Sequence, residues 1–351
     1  MSLFQELCYR AMSAVWGDGN FYSFSRSAFD RARSKTAIWN GDSTADFTGL
    51  RYSVASGIKA GLLGFSQWGS DTGGFRRSNS TPTEEVFARW MHFSALSPMY
   101  EIMVGTNHTP WYDYSPQLVS ILKKTADLHT RLVPYIRSYT YQATQTGLPV
   151  MRALFLEYPN DTAVYDTSDA YAFGKELLVA PIVSEGGSRS VYFPTGGSRF
   201  LEYFNKAQVF LPGQTQNITA LPLDTIPVYV REGAIVVTGD VYQGNAKWLS
   251  TKWTPRLNIE LFHSFDVPKS TFVYYRGKEA NMSPGPATIT MTTERAGRSL
   301  TIQYDDLGVE GTLSIYHKSA TNNATLLQTV NLPSGGRGQI LNIGGLRSVF
   351  E

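Results

Sequence analysis

The chain has 351 residues, and 31 Lys and Arg against 29 Asp and Glu give a formal charge of +2. Hydrophobic residues make up 42% and charged residues 17%, enough apolar material for a sizeable core, which excludes global disorder. The near-neutral charge argues against a nucleic-acid partner, the single Cys8 against a disulfide framework or thiolate metal cluster, and no apolar run is long enough to span a membrane.

Residues 1–16 form a helical pattern with Leu3, Phe4, Leu7, Cys8, Met12 and Val15 on one side. Glu6 and Arg10 interrupt it, so it is no signal peptide. Residues 21–25, 36–39 and 61–66 read as short strands that end in polar, Gly-containing turns. A helix is predicted over 45–60 from the spacing of Phe47, Leu50, Val54 and Ile58. Another is predicted over 82–96, with Glu84 and Glu85 placed well for the N-terminal dipole. A long helix starts at Pro116 and bends or ends at Pro134, and 148–156 reads as a further buried strand.

Strands alternating with helices imply a parallel sheet, either doubly wound or closed into a (β/α) barrel. A barrel is favoured because Arg26, Asp42 and Asp71 each fall just past a separate strand, where barrel enzymes place their chemistry. From about Asp169 the helical period gives way to β-rich pieces at 177–183, 190–193, 226–230, 272–275 and 312–316, separated by Gly, Pro, Ser and Asn turns. This predicts one or two antiparallel β-domains with a seam near 241–245.

Three stretches combine an ionisable group with an aromatic: 25–29 around Arg26, Trp39-Asn40-Gly41-Asp42, and 68–75 from Trp68 through Asp71 to Phe75. A sugar site needs this mixture of carboxylates for proton transfer, charged donors for hydroxyls and flat rings against the sugar face. Singly each stretch also reads as an ordinary turn or surface group. Residues 64–68 approach a serine nucleophile elbow, but Trp68 occupies the place of its last glycine. His92, His108, His129, His263 and His317 show no metal-ligand spacing, and no glycine loop cradles a phosphate.

Together the stretches resemble glycoside hydrolase family 31, the retaining α-glucosidase and α-xylosidase group on a (β/α)8 TIM barrel. Its pattern of Arg-Ser, Trp-x-Gly-Asp, Gly-x-Asp-x-Gly-Gly-Phe and Arg-Trp appears in order as Arg26-Ser27, Trp39 to Asp42, Gly69 to Phe75 and Arg89-Trp90. Residues 132–135, 147–152 and 173–181 look like its late-barrel and first β-domain signatures. The resemblance covers about 1–240. It implies that Asp42 is the general acid/base, that Arg26 donates to a substrate hydroxyl, that Asp71 orients Arg26, and that Trp39 and Phe75 wall the first sugar subsite. It also implies an α-linked oligosaccharide or glycoside as substrate and no cofactor. Asp18, Asp30 and Asp46 read as turn or helix carboxylates with no role.

Two departures stand out. Where the pattern has Arg and, two places on, His, this chain has Glu101 and Met103; His108 lies close behind. The Trp-x-Asp-Met-Asn-Glu motif that carries the nucleophile does not occur. The expected architecture is therefore the second half of a catalytic barrel over 1–168, a proximal β-domain over 169–243 and a distal β-domain over 244–351, both sandwich-like. The expected partner is the N-terminal half of the same enzyme. The competing expectation is a catalytically silent fragment or carbohydrate-binding remnant. Six Asn-x-Ser/Thr sequons, at Asn79, Asn107, Asn160, Asn217, Asn281 and Asn323, predict passage through the secretory pathway.

Overall fold

A computed structural model describes residues 2–76, 81–103, 109–241, 254–278, 282–294, 299–317, 325–336 and 341–342. Helix α1 (Ser2–Trp16) is followed by β1 (Phe24–Ser25), β2 (Ala37–Trp39), α2 (Phe47–Leu62), β3 (Trp68–Gly69) and α3 (Glu84–Ala95). The short strands form one parallel sheet in the order β1-β2-β3. The strand expected over 61–66 is instead the end of α2 and the turn after it, and β3 starts at Trp68. The run Gly61-Leu62-Leu63 continues the helical period of α2 with Leu62 half-exposed, so a short apolar stretch was read with the wrong period.

Helix starts follow local chemistry. Asp46 caps α2 by accepting from the Gly49 amide at 2.8 Å, and Thr83 caps α3 through the Val86 amide at 3.3 Å. Leu50, Val54 and Ile58 turn inward from α2 onto the core, while every residue of α3 from Val86 to Ala95 is buried. The outward face of α1 is different: Leu3, Phe4, Leu7, Val15 and Trp16 are each more than half exposed.

Helix α4 (Pro110–Asp113), α5 (Pro116–Arg131) and α6 (Val133–Thr146) come next. Pro134 sits in the first turn of α6, where a missing N–H costs nothing, so it starts a helix as well as ending α5. Strand β4 (Met151–Arg152) is shorter than the one expected over 148–156 and is followed by α7 (Leu154–Glu157). It pairs antiparallel with β5 (Tyr171–Phe173), outside the parallel sheet.

The proximal six-stranded sheet runs β4-β5-β6-β11-β8-β9, with β6 (Leu177–Val179), β8 (Phe200–Glu202), β9 (Val209–Phe210) and β11 (Val228–Arg231). Beside it β7 (Arg189–Tyr192) pairs with β10 (Thr215–Ile218). The distal region contains two four-stranded sheets. One is β12-β13-β17-β18, with β12 (Ile235–Asp240), β13 (Arg256–His263), β17 (Glu310–His317) and β18 (Thr325–Leu332). The other is β14-β15-β16-β19, with β14 (Lys269–Arg276), β15 (Gly285–Glu294), β16 (Ser299–Tyr304) and β19 (Leu341–Asn342). Alternate residues of both, such as Leu257, Ile259 and Leu261 against Phe272, Tyr274, Ile289 and Ile302, share one buried core.

Three expectations need correction. Pairing of β4 with β5 carries the proximal sheet back before 168, and pairing of β12 with β13 starts the distal sheet at Ile235, ahead of the expected 243/244 boundary. The distal sheets are not purely antiparallel, because β13 and β17 pair in parallel. These relations depend on which strands meet across long sequence separations, which alternation alone does not specify. The predicted seam at 241–245 lies, after Val241, outside the described residues.

The late signatures fasten these layers together. Tyr135 on α6 donates to the Phe173 carbonyl at 2.8 Å and to the buried Glu176 carboxylate at 2.9 Å, and Tyr139 donates to the same Glu176 oxygen. Helix α6 also meets the distal sheet, with Tyr141 stacked on Tyr275 at 4.3 Å and Ser138 Oγ accepting from the Tyr275 amide.

Candidate active site

The parallel sheet has a further rung. After α3 the chain turns at Pro98, and the Met99 amide donates to the Trp68 carbonyl at 3.1 Å while the Thr72 amide donates to the Glu101 carbonyl at 3.1 Å. Asp71 and Glu101 form a parallel bridge. Gly69 permits this approach, since a Cβ there would lie 2.9 Å from the Met99 Cβ and 3.4 Å from Glu101 Oε1. Arg26, Asp42, Asp71 and Glu101 thus follow four successive parallel segments at the same end of the sheet.

Arg26 Nη2 stands 3.6 Å from Asp42 Oδ1, and its guanidinium lies 5.7 Å from the Trp39 ring centre. Gly41, at φ +75°, shapes the turn between Trp39 and Asp42, and a Cβ there would press within 3.1 Å of Arg26 Nε. Asn40 anchors the turn by donating to Ser43 Oγ at 2.8 Å and Ser53 Oγ at 3.0 Å, and its amide donates to the Gly69 carbonyl at 3.0 Å. Arg76 Nε donates to the Asp42 carbonyl at 3.0 Å, a contact that sequence reading missed. Its only signal was a basic residue directly after the Gly-Gly-Phe run.

Asp71 is fully buried, and neither carboxyl oxygen has a hydrogen-bond partner among the described residues. Burial first, then the Asp42 charge, raises its pKa to about 6 against a smaller opposing effect of Arg26. Burial, then the charge of Asp71, raises Glu101 to about 7. Phe75 remains about one-third exposed, and Trp39 is half-buried at the end of β2. Arg26 and Asp42 both act on Asp71 through their charges, in opposite directions, and the Asp71 charge acts in turn on Glu101.

The Arg-Trp pair has a structural part. Trp90 Nε1 donates to Ser70 Oγ at 3.0 Å, fixing the residue before Asp71. Buried Arg89 donates to the carbonyls of Leu221 at 2.6 Å and Pro222 at 3.1 Å, tying α3 to the proximal β-domain. His92 is buried in α3, and burial lowers its pKa to about 3, which keeps the imidazole neutral. Met103 is exposed, and His108 lies outside the described residues. No group of three or more His, Cys, Asp or Glu suited to a metal occurs among the described residues.

Carboxylates and an arginine gathered at the ends of parallel strands, followed by β-rich domains, form an arrangement on which a sugar site can be built. Residues 2–140 match the glycosyl hydrolases family 31 TIM-barrel domain, and 147–236 match the glycosyl hydrolase family 31 C-terminal domain. The chain belongs to glycoside hydrolase family 31. It is 33% identical over 263 residues to a 1,6-alpha-glucosyltransferase of Sporosarcina globispora, covering 69% of this chain and 20% of that protein. It is 29% identical over 273 residues to alpha-glucosidase 2 of Bacillus thermoamyloliquefaciens, covering 77% and 33%. The chain thus spans a fifth to a third of the length of these curated relatives. A Flavobacterium johnsoniae family 31 dextranase complexed with isomaltotriose shares the fold with a TM-score of 0.81 at 21% identity, covering 97% of this chain and 48% of that one. A soil-metagenome α-xylosidase complexed with xylose superposes with a TM-score of 0.61 at 28% identity, covering 66% and 37%.

Proposed function

We propose that the chain carries the acid/base side of a retaining α-glycoside hydrolase site, on the second half of a (β/α)8 barrel, with Asp42 as the general acid/base. The observation that supports this most is the Arg26–Asp42 pair at the ends of adjacent parallel strands, with the Arg26 guanidinium over the Trp39 ring. Asp42 is half-buried, so a leaving glycosidic oxygen can reach its carboxyl. As a carboxylic acid it gives its proton to that oxygen while the C1–O bond breaks and a second carboxylate bonds to C1. As a carboxylate it then takes a proton from the water that attacks C1 and releases the second carboxylate. Arg26 donates to a sugar hydroxyl through its planar fork, and Trp39 and Phe75 supply flat faces for the ring. The proposed substrate is an α-linked oligosaccharide or glycoside; the names of the dextranase, glucosidase and xylosidase relatives favour that class.

The nucleophile is assigned to no residue, since the Trp-x-Asp-Met-Asn-Glu motif does not occur in the sequence. That observation favours a second reading, a catalytically silent sugar-binding chain. Proton NMR of aryl α-glucoside and α-xyloside hydrolysis by the 351-residue chain separates them. Release of the α-anomer first supports the retaining reading, release of the β-anomer first rejects retention, and binding without turnover supports the silent one. We also propose passage through the secretory pathway, with Asn160 and Asn217, both exposed, as the accessible sequons among the described residues. Loss of mass on peptide-N-glycosidase treatment of the natively expressed protein is the expected result.

A further inference from the structure

Glu101 is the charged group at this site that the acid/base chemistry leaves unused. It ends the rung beside β3, bridged to Asp71 by the backbone. Neither oxygen of Asp71 nor Oε1 of Glu101, all three buried, has a hydrogen-bond partner among the described residues. A buried polar group left without a donor is costly, and more so when it is charged. Burial raises both carboxyls, with the Asp42 charge adding at Asp71 and the Asp71 charge adding at Glu101, so the charged form of each is poorly solvated.

The charges around the pair relieve it only in part, through Arg26 acting on Asp71. Arg26 is exposed and stands at 3.6 Å from Asp42, and Arg76 bonds the Asp42 carbonyl, so among the described residues both guanidinium groups face Asp42 while neither bonds Asp71 or Glu101. Asp71 is buried out of a ligand's reach and Glu101 keeps part of its side chain exposed, so the pair presents its accepting wall through Glu101. Sugar hydroxyls are the donors such a wall can use. A carboxylate or sulfonate on the sugar brings no donor and adds like charge in a site shielded from water.

We propose that Glu101, backed by buried Asp71, is a specificity-determining residue of this sugar site that accepts from a hydroxyl of a neutral sugar and excludes an anionic one. The proposal rests on the sugar-site reading above and adds to it the selecting residue and the class of sugar selected.

The test is equilibrium binding to the 351-residue chain of methyl α-glucoside, its monodeoxy analogues, methyl α-xyloside and methyl α-glucuronide, followed by calorimetry or ligand NMR. Wild type is expected to bind one deoxy analogue about tenfold more weakly than its parent, the worth of one hydrogen bond to a charged acceptor. In Glu101→Ala that difference disappears. In Glu101→Gln, which keeps an acceptor without the charge, binding of the glucuronide tightens about tenfold. Variants that rank the ligands as wild type does overturn the proposal. Should Glu101→Ala not fold, the glucuronide response of Glu101→Gln decides alone. If wild type binds neither neutral glycoside, the sugar-site reading itself falls and this proposal with it.

Discussion

Asp71 and Glu101 lie side by side at the ends of neighbouring parallel segments, and burial raises both carboxyls above their ordinary range, helped by the Asp42 charge at Asp71 and by the Asp71 charge at Glu101. A carboxyl raised in the folded state binds more protons there than in the unfolded chain. Its stabilising contribution is complete below the unfolded pKa and is lost as pH rises through the folded one. For Glu101 that window runs from 4.5 to about 7. Glu101→Gln is therefore expected to stabilise the chain at pH 8 by about 1 kcal/mol, discounted for the solvent its carboxyl retains, and to leave it unchanged at pH 4. Urea titrations at the two pH values measure this. Equal effects at both would show that Glu101 does not ionise in the folded chain with a raised pKa.

The distal β-domain carries the opposite dependence. His263 and His317 are register partners on β13 and β17, with their Nδ1 atoms 3.0 Å apart in a buried setting. One ring donates and the other accepts, so the contact holds one proton. Burial, then the charge of His317, lowers His263 to about 4. A base lowered in this way keeps its contribution above 6.5 and loses it as pH falls toward 4, because the unfolded chain then binds more protons. The wild-type chain is expected to lose about 2 kcal/mol across that window from this residue. His263→Phe should flatten the slope, and an unchanged slope would assign the acid sensitivity elsewhere.

Arg89 tests whether the motif helix holds the two layers together. Its guanidinium is buried and bonds the Leu221 and Pro222 carbonyls. Arg89→Met keeps the aliphatic stem and removes the donors, and is expected to cost about 2–3 kcal/mol with at least two carbonyls left wanting. Thermal melting measures the loss. A cost below about 0.5 kcal/mol would mean that water replaces the guanidinium.

The outward face of α1 makes a separate expectation. Phe4 and Leu7 are exposed beside Leu3, Val15 and Trp16, an apolar patch of the kind that drives association. The Phe4→Ser, Leu7→Lys double variant should reduce self-association in sedimentation velocity while changing stability by about 0.5 kcal/mol or less. Unchanged association would place the sticky surface elsewhere.

Much of the site was legible because its groups sit in short local motifs. Arg26 and Asp42 each follow a strand that its own apolar residues announce, and Gly41 shows why Asn-Gly-Asp makes the turn, whereas the strand before Asp71 was expected over 61–66 and lies at Trp68–Gly69. The rung ending at Glu101 was not legible, since its pairing with β3 depends on where α3 returns the chain. Nor did periodicity reveal that β4 leaves the parallel sheet or that β13 pairs in parallel with β17. Those choices are made by partners far away in sequence.

The most direct measurement is the turnover of Asp42→Asn against wild type on two α-glycosides with the same sugar, one with a good phenolic leaving group and one with an alkyl leaving group. A general acid matters most where the leaving oxygen most needs a proton. The expected result is a loss of about 10²–10⁴-fold on the alkyl glycoside and a smaller loss on the phenolic one, with folding unchanged. Equal activity of Asp42→Asn and wild type on the alkyl glycoside would contradict the assignment of Asp42.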